Sequence, residues 1–130
     1  MVTLARILKF KIFFTIVFWC LPLLFFPPSW FRGMGLPVPE PLILARLLGA
    51  AYLALTVAYS LGLIEIQKGG SATQAVWTGI TSNGLACAIL TYSGVTGAWS
   101  TWTIQGQLIM WSSVILTFLI TLLLIPYRHT

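Results

Sequence analysis

Aspartate is absent from this chain, and its acidic residues number two, Glu40 and Glu65. Without aspartate no Ser-His-Asp set can form, and the one histidine, His129, stands one residue from the end of the sequence. A haem held between helices needs axial ligands inside apolar segments, so ligation by histidine is excluded. Two cysteines, Cys20 and Cys87, with one terminal imidazole and two distant glutamates, fall short of the clusters that zinc and iron require. No Cys-x-x-Cys pair supplies a thiol relay, and no glycine-rich loop stands at a strand-to-helix junction to hold phosphate. Charge is scarce as well: 7% of the residues are charged, where soluble domains carry about 25%. A water-soluble globule is thereby excluded. Disorder goes with it, since 58% of the residues are apolar and a chain rich in Trp, Phe and Leu does not stay solvated.

What is present is hydrophobic length. Four apolar runs occupy residues 7–26, 42–64, 75–92 and 108–125, near the 20 or so residues that cross a hydrocarbon layer about 30 Å thick. The first reaches that length if Lys9 and Lys11 extend their ammonium groups back to the interface. None shows the alternation of barrel strands, and in lipid only helices and closed barrels satisfy every backbone group. The expectation is an all-α membrane protein, a four-transmembrane-helix bundle forming one domain over residues 1–130. Arg6, Lys9 and Lys11 ahead of an apolar stretch look like a signal peptide, but Phe25-Phe26-Pro27-Pro28-Ser29-Trp30 is bulky where a peptidase needs small residues, which predicts an uncleaved first span. Pro22 should bend its far end.

The basic residues orient the bundle. Arg6, Lys9, Lys11, Lys68 and Arg128 fall on one side, Arg32 on the other with Arg46 just inside the second span, so both termini and residues 65–74 are expected in the cytoplasm. Trp30, Trp99 and Trp102 then lie in the outer connections and Trp77 and Tyr127 at inner ends, as interfacial belts require. The net charge of +5 has the same origin and does not mark nucleic-acid binding, because the basic residues form no single patch with stacking aromatics.

Few residues carry potential chemistry. Cys20 and Cys87 fall at depths differing by about 5 Å, which makes a disulfide awkward and suits two buried thiols. Glu40 opens the second span between Pro39 and Pro41, and Glu65 closes it. Neither lies mid-membrane, where four-helix multidrug exporters need a titratable carboxylate. Arg46, about 6 Å below the outer boundary, is either an anchor meeting Glu40 or exposed loop carbonyls, or an inward cation that holds an anionic headgroup or a partner's carboxylate. Its helix face carries Ala50, Ala54 and Ala58, a stripe expected to pack on another helix. Tyr52, Asn83, Ser113 and Thr117 fall within about 5 Å of one another in depth. They are either interhelical glue, with Gly79, Gly84 and Ala88 allowing close approach, or the polar lining of a quinone or lipid-headgroup site. The outer connections, residues 27–41 and 93–107, are aromatic and nearly uncharged, which fits anchoring in the headgroup layer or docking against a protein or lipophile. No internal repeat emerges.

The pattern Pro39-Glu40-Pro41 and Ala45-Arg46-Leu47-Leu48-Gly49-Ala50-Ala51-Tyr52-Leu53, then Ser82-Asn83-Gly84-Leu85-Ala86 and Gly97-Ala98-Trp99, resembles small four-helix bacterial inner-membrane proteins of the DoxX-like type. The resemblance covers span count, length and the Arg-x-x-Gly-x-x-Tyr-Leu stretch. It implies a place in a bacterial inner membrane, Arg46 as a family position, and for some members a role as membrane subunits beside sulfur or thiol oxidation that feeds quinone. Three functions follow as expectations. The first is an accessory or structural subunit binding membrane lipids or other membrane protein subunits, through Arg46, Trp99 and Trp102 outside and Asn83 within. The second is a module holding a quinone or lipid through Arg46, Tyr52, Asn83 and Ser113. The third is a small homodimeric transporter with a water-lined cavity at Asn83. No catalytic, metal or tightly bound cofactor residues are expected.

Overall fold

The computed structural model describes residues 2–38 and 40–129; Pro39, expected to flank Glu40, lies outside them. Among the described residues the regular structure is helical throughout, with no strand. The first rod is interrupted. α1 (Val2–Thr15) passes through a π-helical turn at Ile16–Cys20 into α2 (Leu21–Phe25). Pro22 has no N–H to offer the carbonyl four residues back, and the backbone widens there, with the Leu21 N–H donating to the Ile16 carbonyl. A proline and a π turn are recognised causes of a kinked helix.

Pro27 and Pro28 end the rod, and Phe26 turns extended, as a residue before proline must. A short helix, α3 (Pro28–Gly33), follows with Phe31 buried. α4 (Leu42–Gln67), α5 (Thr73–Val95) and α6 (Ile104–Leu124) complete the fold, and a 3₁₀ turn at Ile125–Tyr127 closes it. Thr103 caps α6 by accepting from the Gly106 N–H, so this helix starts four residues before the apolar run at Leu108.

Three rods are long and apolar enough to cross a membrane, Thr3–Phe25, Leu42–Gln67 and Ile104–Tyr127. α5 matches them in length but is diluted by Gln74, Ser82, Asn83 and several threonines. Its polar side chains do not all face outward, for Asn83 is buried.

The helices run up and down. Leu4 and Leu8 of α1, Tyr59 of α4, Ala72 and Val76 at the start of α5, and Ile120 and Leu124 of α6 form one core, so the two termini and the connection from α4 to α5 share an end. Helices in lipid gain little from apolar burial and associate by close packing. Gly62 meets Ala75, and a Cβ at Gly79 would stand 2.6 Å from Leu124 Cδ1. A Cβ at Gly84 would make ordinary contact with Thr121 at 3.9 Å, and Ala88 is exposed, so Gly79 alone of the expected trio makes a tight approach. α6 packs along α5 and barely touches α1. The seam between them is therefore open toward the end where α1 passes into α2.

Candidate functional site

Arg46 reaches from α4 to the end of the first rod and bonds backbone carbonyls there, the kind of contact expected of an anchoring arginine. Its Nη1 donates to the Leu23 carbonyl at 2.8 Å and its Nη2 to the Phe26 carbonyl at 2.7 Å. The cause lies in the sequence of the first rod. The Leu23 carbonyl would accept from residue 27, which is proline and has no N–H. The amide after the Phe26 turn, Trp30, bonds instead to Pro27. Both carbonyls are left over by the double proline, and the guanidinium fork supplies both donors. Glu40 is exposed and takes no part. The α4 face that packs is Ala45, Gly49, Thr56, Tyr59 and Gly62, whereas Ala50 and Ala54 are exposed and Ala58 is half-buried. The expected alanine stripe is thus displaced around the helix, because the close contact with α2 is made at Gly49, where a Cβ would lie 2.9 Å from Leu24 Cγ.

The mid-depth polar residues do converge. Tyr52, Asn83, Ser113 and Thr117 line one small cavity of about 60 Å³, together with Lys11, Thr15, Tyr59 and Ser82. Three of the four bond within their own helices. Asn83 Nδ2 donates to the Gly79 carbonyl of its own helix at 2.8 Å, Ser113 to Ile109 at 2.9 Å, and Thr117 to Ser113 at 2.8 Å. Hydroxyls and amides satisfied one turn back along their own helix have no need of a neighbour. Within this group the one bond between helices joins the Tyr59 hydroxyl to Ser82 Oγ, 2.9 Å apart.

Lys11 is the residue that sequence reasoning missed. Instead of reaching back to the interface it is 5% exposed, with its Nζ 4.5 Å above the centre of the Tyr59 ring. Among the described residues the ion pair is Lys68 with Glu65 on the surface, at 3.9 Å. Lys11 has no such carboxylate. Spacing puts Lys11 on one face with Leu4, Leu8 and Thr15, all of them buried, but the other faces of α1 are as apolar, so the spacing does not mark this face as the packed one.

A second, larger space adjoins this chamber. An apolar groove of about 500 Å³ runs between the π turn, α2 and α3 on one side and α6 on the other, walled by Phe18, Pro22, Leu36, Leu108 and Ile109. Phe14, Trp19, Ser113 and Leu116 line both spaces. The two are neighbours across these four side chains.

Of the tryptophans expected in the outer connections, Trp30 is exposed, whereas Trp99 and Trp102 turn inward. Trp99 is 3% exposed and meets Trp111 edge-on at 5.5 Å and Trp102 at 6.3 Å. A Cβ at Gly94 would approach it to 2.6 Å, so glycine there admits the ring. Its Nε1 is the one buried side-chain nitrogen or oxygen among the described residues without a hydrogen-bond partner. Trp99 therefore fastens the α5–α6 connection, and Trp102 is half-buried beside it. Cys20 is buried and Cys87 half-buried, and both are free thiols. No group of three His, Cys, Asp or Glu among the described residues is placed to hold a metal.

Searches against protein families, curated proteins and solved structures find no match for this chain.

Proposed function

We propose that this protein is a membrane-embedded module that holds one amphiphilic molecule, with the polar end in the Lys11–Asn83 chamber and the apolar part in the groove beside α6. One observation carries the proposal: an apolar groove of about 500 Å³ adjoins a polar chamber of about 60 Å³ through shared walls. Ligand sites characteristically occupy roughly 300–1,000 Å³ and join an apolar lining to a few converging polar groups. The subunit alternative placed Trp99 at a docking face, and a side chain buried beneath Gly94 and Trp111 favours it less.

In this proposal α5 is the fourth span of a bacterial inner-membrane protein. Its 23 residues reach about 35 Å, and its low hydropathy follows from Ser82 and Asn83, which line the chamber instead of facing lipid. Both termini and the Lys68 connection lie in the cytoplasm, on the charge count with Lys11 set aside as buried. Arg46 keeps the groove's far wall in place by closing the end of α2.

The test is native mass spectrometry of protein solubilised gently from its own membrane, beside the Ser113→Phe variant. A lipophile retained near one per chain, and lost on filling the shared wall at Ser113, is the expected result. Bare monomer in both samples overturns the proposal, and co-migration with a larger partner and no lipophile supports the accessory-subunit function in its place.

A further inference from the structure

The chamber has an uncompensated charge. Lys11 sits among α1, α4 and α5, below Tyr59 and close to Gly79, whose notional Cβ would lie 3.7 Å from Lys11 Cε. The titratable groups facing it across those elements are Tyr59 and, around the same cavity, Tyr52. Neither glutamate reaches it, since Glu40 is exposed and Glu65 pairs with Lys68. Withdrawing an ammonium from water without an anion is unfavourable. The face of Tyr59 offsets part of that cost by cation–π attraction at a desolvated site. Among the described residues no carboxylate supplies the negative charge that would offset the remainder.

The space sets the size of that anion. About 60 Å³ accommodates a few waters, at roughly 15 Å³ of such volume each, or one compact head group. Thr15 and Tyr52 line the same cavity with hydroxyls, which donate to an oxyanion. The groove sets the length. It follows α6 from Leu116 to Gln105, eleven residues or about 16 Å, the extent of roughly a dozen carbons at bonds of about 1.5 Å.

We propose that the occupant is a long-chain carboxylate, its head group paired with Lys11 in the chamber and its hydrocarbon chain lying along α6 toward Gln105. This rests on the amphiphile-binding function above and names the ligand's chemistry. An ion pair removed from water is favourable only where its remaining donors and acceptors are met, and this chamber brings the cation and hydroxyls together.

The experiment uses the full chain in phospholipid nanodiscs, with radiolabelled laurate as probe and empty nanodiscs as background. Wild type is expected to retain laurate near one per chain and to prefer it at least tenfold over dodecanol in competition, a comparison that needs no variant. Lys11→Met should weaken laurate at least tenfold and leave dodecanol within about twofold, while Lys11→Arg should keep most laurate binding. Equal affinity of wild type for laurate and dodecanol overturns the proposal, as does unchanged laurate binding in a folded Lys11→Met protein. If decylubiquinone binds the groove and laurate does not, the carboxylate is wrong and the amphiphile module stands. If neither binds, both fall.

Discussion

Replacing Arg46 by lysine and by methionine separates two roles that a snorkelling cation and a backbone clamp would share. The guanidinium bonds two carbonyls at once, Leu23 at 2.8 Å and Phe26 at 2.7 Å. Hydrogen bonds to a charged group contribute about 1.5–3 kcal/mol each, and Arg46 is only half-buried, so a discounted total of about 2–4 kcal/mol is reasonable for losing both. Lysine keeps the charge and can reach the interface, but one ammonium on a flexible stem does not match two fixed acceptors. Its expected cost is about one bond, or 1–2 kcal/mol. At roughly 4 °C per kcal/mol for a chain of this size, Arg46→Lys should lower the melting temperature in maltoside by about 4–8 °C and Arg46→Met by about 8–16 °C. Melting followed by far-ultraviolet circular dichroism reads both. A lysine variant as stable as wild type would refute the clamp, since simple anchoring asks only for a positive charge.

Two further outcomes are expected. Gly49→Ala should cost about 1–3 kcal/mol through overpacking, because its Cβ would meet the Leu24 backbone nitrogen at 3.1 Å. Gly79→Ala should cost less, because there the obstacle is the flexible end of Leu124; equal or reversed losses in thermal melts would contradict the packing. The topology is checked with an impermeant maleimide on intact cells, after Cys20 and Cys87 are changed to alanine. Thr101→Cys should label from outside and Ser71→Cys only after lysis, and the opposite pattern would invert the bundle.

Composition and hydrophobic run length were enough to place these residues in helices, and of the four runs expected to span a membrane three coincide with rods long and apolar enough to do so. Lipid leaves the backbone no other partner than itself, so that conclusion needs no tertiary information. Local chemistry was also legible. Pro22 and the Pro27-Pro28 pair announce a bend and a stop, and Arg46 one helix later has the donors that the stop leaves wanting. Depth was readable too, since a fixed rise per residue puts Tyr52, Asn83, Ser113 and Thr117 at one level, and they do line one cavity.

Which face of each rod meets a neighbour was not legible, because hydrocarbon outside is as apolar as leucine inside. The packing face of α4 consequently fell at Gly49 and Gly62, not along Ala50 and Ala54. For the same reason Lys11 looked like a residue stretching toward water, when Tyr59 from a distant part of the chain covers it. The polar level resembled glue, whereas Asn83, Ser113 and Thr117 donate one turn back along their own helices and the bond between helices joins Tyr59 to Ser82. Periodicity assigns a residue its depth and its angle about an axis. Only the packing of four axes decides what stands opposite, and here it leaves a seam open between α1 and α6.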